Sequence, residues 1–319
     1  MRIVVALLCA LACGTALGQS SYPNRAVKVI VPWPPGQATD IAARMLAAKL
    51  QEQLGQAFVA DNRPGAGGSL GTSIAATSPA DGYTILAASS GPISIMPSLQ
   101  KVSYDPLKDF TLVALITRNP YALVVAPSFP AKDAKEFIAL VRASPDKYTF
   151  ASSGTGATGH LLGELFNSMA GIKARHVPYK GAAPALTDVM SGRVDYMIET
   201  VAATVGHVHN GRLRALGVST LKRAAAMPEV PTLAEAGNLP DYDAAAWIGY
   251  AVPSATPRAI VSKLSVEIHK ALESPDMKER LLGAGLDPAT LTLDELPAFM
   301  KREQERYASV IRNANIKLE

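Results

Sequence analysis

The sequence predicts an α/β protein built from two successive strand-helix series. Three observations carry this reading. Apolar runs alternate with helical patterns in the order strand, helix, strand, helix, strand between Arg25 and Ser89. A second series of the same kind spans about Ala122 to Ala246, and from Pro257 onward the chain reads as mainly helical. Strands separated by helices imply a parallel sheet covered on both faces, with polar loops gathered beyond the strand C-termini.

Taken in order, RAVKVIVPW is a strand, and Thr39 to Leu54 is a helix because Ile41, Met45, Ala48 and Leu50 recur at three-to-four spacing before Gly55 stops it. QAFVADN is a short strand, RPGAGGSLG a glycine loop, SIAATS a small-residue helix, and GYTILAAS a strand after the turn at Pro79 to Gly82. In the second series YALVVAPS, YTFASSG, ARHVPY, VDYMIET and LRALGVST are strands. AKEFIALVRAS, His160 to Met169 and APALTDVMSG are helices between them. The last three helical stretches, AIVSKLSVEIHKAL, SPDMKERLLGAG and LDELPAFMKREQERYASVIRNA, have no matching strands and are expected to pack back on the first series.

The chain has 319 residues, 48% hydrophobic and 18% charged, which argues against wholesale disorder. Its one long apolar stretch opens the sequence, so a multispan membrane protein is excluded. Arg2, the apolar Ile3 to Ala12 and the small-x-small Ala16-Leu17-Gly18 predict a signal peptide over residues 1–18, cut near Gly18-Gln19. A buried N-terminal helix and a lipoprotein cut before Cys13 are the alternatives. Both cysteines, Cys9 and Cys13, lie in this segment, so the mature chain would have no disulfide, thiolate nucleophile or cysteine-bound metal. The formal charge of +4 is scattered along the chain, and no nucleic-acid partner is expected.

GTGATG, Gly154 to Gly159, satisfies G-x-G-x-x-G between a strand and a helix. About twenty residues on, KARHVPY offers Arg175 but no acid for a ribose diol, so an anion site at a helix N-terminus is the better reading than a dinucleotide site. GGSLG places Ser69 in a G-x-S-x-G pattern, yet NRPGAG separates it from the preceding strand, unlike a nucleophile elbow. His207 and His209 read as a polar loop pair, Arg63 as a solvated or packing residue as readily as a ligand clamp, and neither a metal site nor a cofactor is expected. The first loop, VPWPPGQATD, is held extended by proline, carries Trp33 as an apolar plate, and puts Asp40 in the first turn of its helix. With SSG at Ser89 to Gly91 and SSGTGATGH at Ser152 to His160, it makes three donor-rich loops at strand ends, suited to an oxyanion.

These motifs, together with YDPLKDF, HVPYKGAAPALTDVMSGRVDYM, MPEVPTLAEAG and WIGYAVPSATP, resemble in order the Bug family, the extracytoplasmic solute receptors of tripartite tricarboxylate transporters. The resemblance covers essentially the whole mature chain. It implies a two-lobe type II periplasmic binding-protein fold with a ligand cleft between lobes, closure on a small organic carboxylate, and delivery to membrane transporter subunits. Lobe 1 would comprise residues 22–121 and 248–319, and lobe 2 residues 122–247. Carried onto this chain, the first-loop ligand region is Trp33, Pro35, Gly36, Gln37, Ala38 and Thr39, with Ser89 and Ser90 from the same lobe. Ser153, Gly154, Thr155, Gly156, Thr158 and His160 would face them, and Tyr179, Lys180, Gly181, Glu199 and Thr200 would line the distal side.

Two departures from the family pattern stand out. Gly36-Gln37 replaces a usual pair of glycines, adding an amide near the entrance, and Ile198-Glu199 stands where Phe-Asp is common. The expected activity is that of a periplasmic, non-enzymatic receptor, acting as a monomer. The competing readings are a ligand sensor docking on a signalling ectodomain, a serine hydrolase using Ser69, and a nucleotide-dependent enzyme using GTGATG.

Overall fold

The computed structural model describes residues 22–240, 242–313 and 315–317. The signal-peptide reading and both cysteines lie outside these residues. Among the described residues nine strands join in the order β2 (Phe58–Asn62), β1 (Val27–Val31), β3 (Thr84–Ser89), β9 (Ala245–Pro253), β4 (Phe110–Val125), β7 (Tyr196–Thr200), β5 (Thr149–Ser152) and β6 (Arg175–Pro178), with β8 (Arg214–Val218) also paired to β4.

The first half forms as expected. Strand β1 (Val27–Val31) pairs in parallel with β2 (Phe58–Asn62) and β3 (Thr84–Ser89). Helix α1 (Ala38–Leu54) ends at Gly55, whose φ of 69° is a left-handed stop that glycine adopts without strain. Helix α2 (Ser69–Ala76) starts at Ser69, so that residue lies in a helix rather than in the loop. A wide π-helical turn at Gly91–Ile95 and the short α3 (Met96–Leu99) follow.

The sheet is mixed, which corrects the expectation of a parallel one. Strand β4 (Phe110–Val125) begins well before YALVVAPS, and β9 (Ala245–Pro253) fills the stretch before Pro257 to which the sequence assigns no strand. Along Phe110 to Pro120, β4 pairs antiparallel with β9; from Tyr121 it pairs antiparallel with β7 (Tyr196–Thr200). The partner changes at Pro120, which has no N–H to give to either ladder. That proline and the polar Arg118-Asn119 before it break the strand signature in sequence. Strand β9 in turn joins β3. The two long strands thus cross between the halves of the sheet.

The second half carries α4 (Ala134–Arg142), β5 (Thr149–Ser152), α5 (Thr158–Ala170), β6 (Arg175–Pro178), α6 (Ala182–Met190), α7 (Val201–His209), β8 (Arg214–Val218) and α8 (Leu233–Ala236). Its core gathers Phe137, Phe150, Phe166 and Tyr196, all fully buried, each worth about 1.5 to 3 kcal/mol of apolar burial. His207 and His209 sit in the last turn of α7, a helix rather than a loop, because Thr200 caps its start by accepting from the Ala203 N–H.

Helices α9 (Arg258–Glu273) and α10 (Pro275–Gly283) pack on the first half through Leu264, Ile268 and Leu281 against the β1 and α1 core. Helix α11 (Leu296–Asn313) is shared: Leu296 and Phe299 join the first-half core around Trp247, whereas Tyr307, Val310 and Ile311 join the second. No helix among the described residues is long and apolar enough to cross a membrane.

Candidate ligand cleft

A cavity of about 710 Å³ opens where β4 and β9 cross between the halves of the sheet. Three helices begin on its wall. Ala38 and Thr39 open α1, Thr158 opens α5, and Thr200 and Ala202 flank the start of α7. The first N–H groups of a helix have no intrahelical acceptor, and together with the helix dipole they favour negative charge. The lining residues include no Lys, Arg, His, Asp or Glu. Tyr121 is the one titratable side chain there, and burial, with the Glu199 charge behind it, pushes its phenol well above the ordinary value. The wall is therefore neutral and rich in donors.

Each loop is preset by hydrogen bonds to its own residues and to the neighbouring strands. Asp40, buried in the first turn of α1, accepts from the Gly36 N–H (2.9 Å), Arg44 Nε (2.9 Å) and Asn62 Nδ2 (2.8 Å). Burial pushes its carboxyl up, but these donors outweigh that and hold it below the usual carboxylate range. Asn62 Nδ2 also donates to the Trp33 carbonyl (2.9 Å), fixing the loop at both ends. Trp33 Nε1 donates to Ser89 Oγ (2.9 Å), which leaves the Ser89 hydroxyl proton free to turn toward the cavity. Ser90 Oγ accepts from the Trp247 N–H (2.7 Å) and so ties its loop to β9.

Of the residues singled out in sequence, Trp33, Ala38, Thr39, Ser89, Ser90, Ser153, Gly154, Thr155, Gly156, Thr158 and Thr200 line the cavity together. Pro35, Gly36 and Gln37 are exposed beside it, and the Gly36 N–H is taken by Asp40. The lining does not include His160, Tyr179, Lys180, Gly181 or Glu199. His160 is 4% exposed and accepts from the Gly156 N–H at Nδ1 (3.1 Å). The Tyr179 hydroxyl donates to Asp188 (2.8 Å), while Lys180 and Gly181 belong to the turn before α6. Glu199 is buried; its Oε1 accepts from the Thr200 N–H (2.7 Å), its Oε2 has no partner, and burial pushes its carboxyl up.

Ser69 is not on the lining; it meets the Tyr104 hydroxyl (3.3 Å), with no histidine on its oxygen. Sequence reasoning missed the crossing strands. Asn119, Pro120 and Tyr121 of β4 and Ala246, Trp247 and Ile248 of β9 form the cavity floor, and Ala284 to Leu286 close one side. Trp247 is 1% exposed, and its indole N–H has no partner. The apolar runs around Leu112 and Tyr250 were the available signal for these strands.

Residues 42–316 match the family model described as Tripartite tricarboxylate transporter family receptor, TctC. The chain belongs to this family. It is 38% identical over 303 residues to protein BugT of Bordetella pertussis, covering 93% of this chain and 92% of that one. Among solved structures it is similar to R. palustris Rpa4515 with adipate, at 36% identity and a TM-score of 0.77, covering 93% of this chain and 99% of the other. It is also similar to MatC from Rhodopseudomonas palustris with bound malate, at 33% identity and a TM-score of 0.72, covering 91% and 100%. These likenesses bear out the α/β fold expected of a periplasmic binding protein of this type.

Proposed function

We propose that the protein is a periplasmic solute receptor, not an enzyme, that captures a small organic carboxylate and delivers it to the membrane subunits of a tripartite tricarboxylate-type transporter. One observation carries this: three helix N-termini converge on a cleft whose lining has no charged side chain. Such a wall satisfies a carboxylate with several N–H and O–H donors at once, offsetting the cost of taking its charge out of water. The malate and adipate bound to the two R. palustris relatives are both small dicarboxylates, which supports the same class of ligand here.

The lobes are assigned as residues 22–121 with 248–319 and residues 122–247, with the end of α11 reaching across onto the second lobe and the crossing strands serving as the hinge. Closure would bring the α5 loop toward α1. The receptor would reach the periplasm after loss of residues 1–18 and act there as a monomer.

Native mass spectrometry of gently purified protein, followed by calorimetry with malate and adipate, tests this reading. A copurified or titrated acid recovered chemically unchanged supports it. Turnover of the acid, or no binding of any carboxylate across a broad thermal-shift panel, contradicts it.

A further inference from the structure

We propose that His160 is a positioning residue of the carboxylate site, holding the ligand loop through Gly156 without touching the ligand. The inference rests on the receptor reading above and concerns how that site is kept in shape. His160 is buried behind the loop, off the cavity lining, and its Nδ1 accepts from the Gly156 N–H at 3.1 Å. Its ring lies flat on that of His176, with centroids 3.7 Å apart and planes 8° from parallel. The second ring grips the other end of the loop: His176 Nε2 is 2.7 Å from Ser152 Oγ, which in turn accepts from the Gly154 N–H at 3.2 Å. Phe150 packs against both rings from β5.

The stacked pair therefore fastens Gly154 and Gly156, two glycines at φ of 142° and 76° that would otherwise be the freest points of the loop. An acceptor at Nδ1 requires the His160 proton on Nε2. Glu164 Oε1, 3.7 Å from that nitrogen, favours this tautomer. Burial, and then the neighbouring His160, push the His176 imidazole down to about 4, so that ring is neutral near pH 7. A loop fixed before the ligand arrives does not lose its freedom on binding, which is how rigid sites gain affinity. Removing the Nδ1 acceptor leaves Gly156 without its anchor while the rest of the wall is unchanged.

Two substitutions separate the acceptor from the ring. His160→Asn places an amide oxygen near the position of Nδ1, whereas His160→Leu keeps bulk and has no acceptor. Hydrogen exchange at the Gly156 amide in the ligand-free protein reads the anchor directly. Protection is expected in the natural chain, lost in H160L and restored in H160N. Calorimetry with malate and adipate is expected to show at least tenfold weaker binding for H160L and recovery to within about threefold for H160N. An unprotected Gly156 amide in the natural chain, equal losses in both variants, or full affinity in H160L overturns the inference. If the natural chain shows a protected Gly156 but binds neither acid, the choice of those acids fails while the anchor stands.

Discussion

A Cβ on Gly285 would lie 2.6 Å from the Cβ of Ala202, so the loop after α10 touches the first turn of α7 where both line the cleft. The φ of 71° at Gly285 suits that approach. The same loop is tied to β4, since the Arg118 N–H donates to the Asp287 carbonyl and the Asp287 N–H donates to Asn119 Oδ1. On its other side, Asp287 accepts a backbone hydrogen bond from Ala225, against burial that pushes its carboxyl up. In the proposed division of lobes this loop is a clasp from lobe 1 onto lobe 2.

Ala202→Leu is therefore expected to hold the lobes apart. Binding of the copurified acid should weaken tenfold or more, about 1.4 kcal/mol, with smaller compaction on binding by X-ray scattering. Natural affinity together with natural compaction would show that the contact plays no part in closure.

Much of the site was legible because backbone chemistry is local. Trp33, Ser89 and the Ser153 to Thr158 loop were readable as strand-end loops rich in Gly, Ser and Pro, and all reach the cleft. The crossing strands were not. Pro120 interrupts the apolar run of β4, and β9 pairs with strands more than a hundred residues away, so neither leaves a local signature. His160 reads as a ligand residue from its place beside the glycines. Only its distance to Gly156 reveals that it faces the back of the loop. Burial of Glu199 likewise depends on tertiary packing over Ile198 and Gly159, which no spacing rule encodes.

Asp40→Ala should destabilise the first lobe. It removes the acceptor of the Gly36 N–H, Arg44 Nε and one Asn62 Nδ2 hydrogen bond, and because Gly36 and Arg44 can turn to water the loss is about 0.5 to 1.5 kcal/mol. Because the folded carboxyl is held below its usual range, this contribution is fully present above the unfolded pKa and lost as pH falls through the folded one. Denaturant melts of the natural chain and D40A should converge in acid. A constant gap between them would contradict the linkage.

His176 should give a second acid limb. Burial, and then His160, push its folded pKa down to about 4 from an ordinary 6.5, so the unfolded chain binds the proton first. Stability is then greatest above 6.5 and declines as pH falls toward 4. His176→Gln should flatten that limb in thermal melts between these values, and an unchanged limb would assign it to other groups.

Thr155→Val removes a hydroxyl from the cleft wall while nearly keeping its shape. Weaker binding by roughly 0.5 to 3 kcal/mol is expected in calorimetry with the copurified acid if that hydroxyl meets the ligand. Unchanged affinity would remove Thr155 from the contact set.

A crystal structure of the mature protein with its copurified anion distinguishes capture by neutral donors from capture by an arginine. The expected result is a carboxylate in the cleft with its oxygens about 3 Å from N–H and O–H donors at the starts of α1 and α5, and no arginine or lysine paired to it. A carboxylate paired mainly with Arg63 or another arginine drawn into the cleft would contradict capture by neutral donors.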